Sequence, residues 1–365
     1  MKVLRDEVLI LELYRKTYAN VYLDNIKYNV ETVINHFKNY DYYFGVVKSD
    51  CYGHKGIETV EAIISGGVNY LAVVTLEEAL YIRKYLKEIP ILCLGVINSK
   101  DVEIAKTNNI TIIINSLETL YDYLKINTEG LKVHIKINTG ANRLGLKTKE
   151  EITEALIKLA ETNIEVEGIY THIYKTEDKK TTEEQFKLFQ ELTKNIDLDK
   201  IPIRHIQASD ALYGYEKPKY INACRLGIIM YGLIENDLNL KSTISLHSEI
   251  AQIYHLKKGE NVGYAGIYHA PNDEIVAVVS IGYADGIIRR NSGRNVYINN
   301  KAYPIIGNIC MDYLFIRIDE NVKLNDEVII IKDNDHINEI AKHLETISYE
   351  IITSIGSRVP RIYKE

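Results

Sequence analysis

A lysine at the end of a buried strand is chemically exposed in one respect: desolvation disfavours its charged form and moves the amine toward nucleophilicity. Lys48 closes the run YYFGVVK in this way and suits Schiff-base chemistry, the plainer reading being a lysine that snorkels its ammonium into water. Other polar side chains close further apolar runs. Tyr52 follows four residues on in KSDCYGH, placed to reach a phosphate, and Lys136, Arg143, His172, Ser209 and Arg225 stand at the ends of later runs. Any one of them reads as a solvated loop residue. Five strand ends agreeing describe a reactive mouth, because barrel enzymes place their reacting groups at the C-terminal ends of strands.

The elements that carry these residues number eight. They are FGVVK to Lys48, YLAVVT to Thr75, PILCLG to Gly95, ITIII to Ile114, KVHIKIN to Asn138, VEGIYTH to His172, IRHIQ to Gln207, and a weaker run near RLGIIMYG. Amphipathic stretches such as LEEALYIRKYLKE and TTEEQFKLFQELTKN separate them, so the pattern is strand and helix in alternation. Near-continuous apolar strands in that alternation predict parallel β buried on both faces, and eight units predict an α/β fold with a TIM barrel. A doubly wound open sheet fits less well, since no GxGxxG follows an early strand. From about residue 240 the texture changes to β-rich segments (HSEIAQIYHLK, EIVAVVSIGYA, DEVIIIK) parted by Gly, Asn and Asp turns, which predicts a mainly antiparallel β domain. The expected division is a barrel over 1–240 and a β domain over 241–365, with the first residues, up to about 15, and the strand-like TYANVYLD open to either domain.

Composition narrows the partners. The 365 residues carry 44 Lys and Arg against 50 Asp and Glu, a net charge of −6, with no clustered basic stripe, which argues against a nucleic-acid partner. Cys51, Cys93, Cys224 and Cys310 lie far apart without a CxxC pair, so neither a metal knuckle nor a disulfide framework is indicated, and the expected compartment is a reducing cytoplasm. No metal site is expected. The opening MKVLRDEVLILELYRK has an apolar patch broken by Glu12 and followed by Arg15 and Lys16, too short to span a membrane and without a cleavage site.

At VVKSDCYGH the sequence resembles the pyridoxal-phosphate lysine motif of the alanine racemases, a fold-type III family. LAVVTLEEAL, KINTGANRLGL, GIYTHI, HIQASDA, RLGIIMYGL, SIGYADGI, GNICMDYL and SRVPRIY follow in order, each similar to a racemase block, so the likeness covers nearly the whole chain. It implies that Lys48 carries the Schiff base to the cofactor and acts as one catalytic base. The opposite base would be Tyr283 in GYADG, reaching in from the β domain of a second subunit, so that a homodimer shares its active sites. Tyr52, Ser209 and the backbone N–H groups of Gly227 and Ile228 would hold the phosphate. Arg225 would face the pyridine nitrogen, and a guanidinium that keeps its proton weakens the electron sink and restrains side reactions. His172 would bridge Arg225 and Tyr283. Arg143, with the backbone of Met311 of the partner subunit, would hold the substrate carboxylate, and Lys136 matches a lysine that in many members carries a carbamate and steadies that arginine.

Elsewhere the plain reading holds: Cys310 is a lining residue, Asp285 and Asp312 organise loops, and His54 is a cap or packing residue. Three departures bear on specificity. Ser357 stands before RVPR, where the family often has tyrosine; Ala208 precedes Ser209, where asparagine is usual; and Tyr174 and Lys175 replace small residues after His172. HIQAS also resembles the racemase domain of the serine racemases linked to vancomycin resistance. The expected reaction is interconversion of L- and D-alanine, supplying peptidoglycan, with serine or dual activity as the alternative. A fold-type III decarboxylase fits less well because Tyr283 and the CMD segment suit a racemase better, and a non-catalytic pyridoxal-phosphate-binding barrel fits less well because a carrier has no need of a second base.

Overall fold

A computed structural model describes residues 13–234 and 237–365; the apolar patch of the first twelve residues lies outside them. The chain forms two compact units, one of residues 22–243 and one that joins residues up to 21 to 244–364. Strand β1 (Tyr18–Tyr22), the TYANVYLD piece, pairs antiparallel through Tyr18–Val21 with residues 244–247 and so enters the second unit.

In the first unit eight parallel strands close on themselves: β2 (Tyr42–Val46), β3 (Tyr70–Val73), β4 (Ile91–Cys93), β5 (Ile110–Ile114), β6 (Lys132–Lys136), β7 (Glu165–Tyr170), β8 (Ile203–Ala208) and β9 (Ala223–Leu226), with β9 returning to β2. The strands of the sequence reading are these. β3 and β5 are buried at every position, as strands covered by helices outside and by the barrel core inside must be. The crossover helices begin where the side chains can satisfy free amides. Thr75 with Glu78, and Thr148 with Glu151, form reciprocal caps ahead of the helices Leu76–Tyr85 and Lys149–Ala160. Aromatic rings fill the interior: Phe44 stacks on Tyr70 at 4.3 Å and on His205 at 4.8 Å, and Tyr170 stacks on His205 at 4.5 Å.

The second unit is an antiparallel sheet built on the long strand β10 (Ile244–Leu256), which pairs with β1, β11 (Glu274–Val279) and β15 (Glu327–Ile331). Strands β12 (Asn295–Ile298), β13 (Lys301–Ile306) and β14 (Leu314–Ile318) continue it, and β16 (Arg361–Lys364) lies beside β1. Asn299 and Asn300 make the two-residue turn between β12 and β13 with φ of 49° and 62°, a left-handed pair that asparagine tolerates and that matches the strand twist. All four cysteines are free thiols, and no helix among the described residues is long and apolar enough to cross a membrane.

Candidate active site

Beyond β2 the chain does something its sequence does not announce. Ser49, Asp50, Cys51 and Tyr52 all have φ of 52–53°, a single left-handed turn with no glycine in it, in a region that costs L-residues about 1–2 kcal/mol each. Neighbouring bonds hold it. The Ser49 amide donates to Glu78 Oε1 at 2.6 Å, the Cys51 amide to the Val47 carbonyl at 3.0 Å, and the Lys55 amide to the Asp50 carbonyl at 2.7 Å. His54, fully buried, stacks on Tyr231 and lies 2.8 Å from Thr243 Oγ1, a packing role. The turn opens at Lys48 and brings Tyr52 back beneath it, with the Lys48 amine 5.9 Å from the Tyr52 ring centre. Burial first, then the Arg143 cation, lowers the Lys48 pKa against the pull of Glu78, favouring a free amine.

The Tyr52 hydroxyl converges with two other groups. Ser209 Oγ accepts from the amides of Gly227 at 3.0 Å and Ile229 at 3.3 Å, which fixes the turn Ile228–Tyr231 above β9. A Cβ on Gly227 would sit 3.0 Å from Tyr52 Oη and 3.4 Å from Ser209 Oγ, so the missing side chain is what leaves a cradle between two hydroxyls. Burial first, then Asp210, pushes the Tyr52 phenol up to about 12; it stays a donor, as an anion site requires. The Gly227 amide is engaged with Ser209, and an anion in the cradle would share or replace that bond.

Arg225, only 3% exposed, is clamped by residues on β8 and at the end of β7. It donates to the carbonyls of Thr171 (3.0 Å) and Ile206 (2.9 Å), and its Nη1 and Nη2 lie 2.6 Å from His205 Nδ1 and 3.3 Å from His172 Nδ1. Burial takes its pKa to about 10, still cationic at neutral pH. His172 goes the other way: burial, then the cations Arg225, Arg143, Lys136 and Lys48, press it to about 3. It is a neutral imidazole that accepts at Nδ1 and keeps its proton on Nε2.

Lys136 and Arg143 meet His172 at one small cavity that Thr171 also lines. The Leu146 amide donates to the Lys136 carbonyl and the Asn138 amide to the Leu146 carbonyl, both at 2.8 Å, and Asn138 Oδ1 accepts from the amides of Gly140 and Asn142. This folds the loop back so that exposed Arg143 returns to the strand end it left. Burial, then Arg143 and Arg225, lowers Lys136 to about 8, so an appreciable share of it is neutral amine near pH 7.

In the second unit Tyr283 opens the turn Tyr283–Asp285. Its amide donates to the Cys310 carbonyl and the Ala284 amide to the Met311 carbonyl, each at 3.0 Å. Asp285, fully buried, accepts from Arg15 (3.0 and 2.7 Å), Arg358 Nε (2.8 Å) and the Gly282 amide (3.0 Å). Arg358 also reaches Asp312 at 2.5 Å, and the Gly356 amide donates to the Asp285 carbonyl at 2.9 Å. GYADG, CMD and SRVPR are thus one locked cluster, and Asp285 and Asp312 do organise it. Burial, more than the opposing Arg289 cation, raises the Cys310 thiol. Ser357, exposed, sits between the anchored Gly356 and Arg358.

Of the other departures, Lys175 pairs with Asp178 at 3.1 Å and the Thr181 amide caps on the same carboxylate, so it belongs to a helix start. Tyr174 is 52% exposed and its ring stands over Gly140, where a Cβ would lie 3.1 Å away. Ala208 ends β8 at an irregular register with β9. Sequence reasoning missed several supports. Gln185 is buried and ties Thr139 Oγ1 (3.0 Å), the His172 carbonyl (3.4 Å) and the Tyr174 amide (3.2 Å) together, and Arg15, Arg358, Glu78 and His205 went unassigned. Glu78 carried a readable signal, the T-x-x-E cap, and His205 and Arg358 stand within the HIQASDA and SRVPRIY blocks.

Pyridoxal phosphate needs an amine for its aldehyde, donors for its phosphate and a partner for its ring nitrogen. This barrel supplies the residue types for all three at one end, which places the protein among pyridoxal-phosphate barrel enzymes. The comparisons agree. Residues 21–235 match the family model for the alanine racemase N-terminal domain, and 243–363 that for its C-terminal domain. Alanine racemase of Halalkalibacterium halodurans is 35% identical, covering 96% of this chain and 95% of its own, and alanine racemase 1 of Bacillus subtilis is 34% identical, covering 96% and 94%. A crystal structure of alanine racemase from Bacillus anthracis with bound L-Ala-P superposes with a TM-score of 0.90 at 32% identity, covering 96% of each chain. The chain belongs to the alanine racemase family, whose members depend on pyridoxal phosphate.

Proposed function

We propose that the protein interconverts L- and D-alanine with Lys48 and Tyr283 as its two bases. The observation that carries the reading is the convergence, in one barrel, of a Lys48 amine with lowered pKa, the Tyr52, Ser209 and Gly227 cradle, and the buried Arg225. Bound pyridoxal phosphate supplies the electron sink that makes an amino acid's α-hydrogen acidic. Tyr52, Ser209 and the amides near Gly227 and Ile228 hold the phosphate, and Arg225 faces the ring nitrogen without a proton to give.

Lys48 Nζ takes the α-proton on one face and the Tyr283 hydroxyl oxygen returns one on the other, which inverts the centre. His172 Nε2–H, left over because Nδ1 accepts from Arg225, is the donor that steadies the Tyr283 oxygen when it has lost its proton. Arg143 and the backbone of Met311 of the partner subunit orient the substrate carboxylate. The neutral share of Lys136 can take up CO2 as a carbamate, whose negative charge steadies Arg143. Lys48 and Tyr283 lie on separate compact units, and on this reading the protein is a homodimer in which Tyr283 of the partner subunit completes each site. A cytoplasmic protein supplying D-alanine for peptidoglycan is the role that fits.

Serine is the second reading, favoured by the small hydroxyl side chain of Ser357 in the anchored segment beside the Tyr283 turn. Purified protein with pyridoxal phosphate in heavy water should exchange the α-hydrogen of both alanine enantiomers without releasing CO2. Decarboxylation, or no exchange with any L-amino acid of a panel, would refute the racemase reading.

A further inference from the structure

The barrel interior holds a hydrogen-bonded chain that the reaction above leaves unused. Arg225 Nη1 lies 2.6 Å from His205 Nδ1, His205 Nε2 lies 3.0 Å from His134 Nδ1, and His134 Nε2 lies 3.3 Å from Glu167 Oε2. Both imidazoles are fully buried, and the Glu167 side chain is 12% exposed. Glu167 Oε2 also accepts from Tyr70 Oη at 2.6 Å and Thr111 Oγ1 at 2.9 Å, and Lys132 Nζ stands 3.6 Å from Oε1.

The direction of the chain follows from its ends. A guanidinium can only donate, so His205 Nδ1 presents a lone pair and carries its proton on Nε2. His134 then accepts at Nδ1 and donates from Nε2 into a carboxylate. Burial lowers both imidazoles, keeping them neutral. Burial alone would raise the Glu167 carboxyl, but hydrogen bonds from His134, Tyr70 and Thr111 take it to about 2. The His205 ring cannot turn freely, being stacked on Tyr170 at 4° and on Phe44 at 19°. Among the described residues, Arg225's hydrogen-bond partners are carbonyl oxygens and the two imidazoles of His205 and His172, with no carboxylate.

We propose that Glu167 is a positioning residue for the Arg225 guanidinium, acting through His134 and His205, which it holds as Nε2–H tautomers. It touches neither substrate nor cofactor, and the inference rests on the reading that Arg225 faces the cofactor ring. Were the tautomers reversed, His205 Nδ1–H would meet the Arg225 donor across 2.6 Å, and the guanidinium would have to move. A carboxylate at the far end excludes that arrangement, because it accepts and never donates. Glu167 is the negative end of a hydrogen-bonded chain whose other end is the Arg225 guanidinium.

The test has two arms. In full-length protein labelled with 15N-histidine, two-bond correlations should show His134 and His205 as Nε2–H tautomers at neutral pH; an Nδ1–H tautomer or an imidazolium at His205 overturns the proposal. Glu167→Gln keeps the shape and one acceptor oxygen but loses the charge. Its kcat per bound cofactor should fall about tenfold with the KM for alanine within about twofold, and the cofactor's absorption maximum should shift. A lower thermal midpoint with kcat and spectrum unchanged would make Glu167 purely structural and overturn the proposal. The first arm needs no turnover, so protein with the stated tautomers that racemises nothing would refute the racemase reading and leave this chain of contacts supported.

Discussion

Arg15 meets Asp285 with Nη1 and Nη2 of its guanidinium, at 3.0 and 2.7 Å, across 270 positions of sequence. Asp285 follows Tyr283 by two residues, so Arg15 anchors the turn that carries the proposed base. Arg15→Met leaves the buried carboxylate with Arg358 and the Gly282 amide only. Loss of a charged hydrogen-bonded pair is worth about 1.5–3 kcal/mol, read in urea unfolding. The kcat should fall about tenfold while the cofactor spectrum stays that of the parent, since the spectrum reports the barrel. A normal kcat would show that the Tyr283 turn holds its place without Arg15.

Sharing of the site is tested by mixing. Lys48→Ala and Tyr283→Phe subunits are each expected to be inactive, and protomer exchange between them should restore part of the activity, because one site of each heterodimer has both bases intact. Verified heterodimers with no recovered activity would count against a shared site.

Stability should fall toward acid. Burial depresses His134, His172, His205 and His336, His172 to about 3 and His336 to about 4, from an ordinary 6.5. Between those values the unfolded chain binds more protons than the folded one, so unfolding free energy is fully present above pH 6.5 and drops as pH decreases. The slope approaches about 1.4 kcal/mol per pH unit for each histidine. Glu167, lowered from 4.5 to about 2, adds its loss as pH falls through that lower window. Urea midpoints that hold steady from pH 7 to pH 5 would contradict this.

Ser357→Tyr should shift the ratio of kcat/KM values toward alanine over serine. The shift is bounded at about 10- to 200-fold, the usual discrimination of one hydroxyl in a site not built around it. An unchanged ratio would move attention to Tyr174 and Ala208, since Lys175 is already paired with Asp178.

The barrel was legible because its strands are apolar on both faces, and β3 and β5 show why: every position is buried. The last strand was weaker because the apolar run RLGIIMYG outlasts β9, which ends at Leu226, and continues into the turn Ile228–Tyr231. The site's motifs gave the residues but not their supports. Arg15 and Gln185 act across gaps that no local spacing encodes, and KSDCY contains no glycine to signal a left-handed turn. One of the bonds that hold that turn comes from Glu78, at the next strand–helix junction, which ties down the Ser49 amide.

The Tyr283 and Ala284 amides rest on the Cys310 and Met311 carbonyls, and a Cβ on Gly282 would fall 2.4 Å from each of those oxygens. The proposed base and the backbone proposed for the substrate carboxylate are therefore one mechanical part. On that proposal, adaptation to a new amino acid, or escape from an inhibitor that mimics D-alanine, cannot proceed by sliding residues 310–312 without displacing the proposed proton-transfer group. A selected library should accordingly keep Gly282 and vary side chains alone, at 311, 357 and on the barrel rim, so that changes in taste arise at the periphery of a hinge-free block.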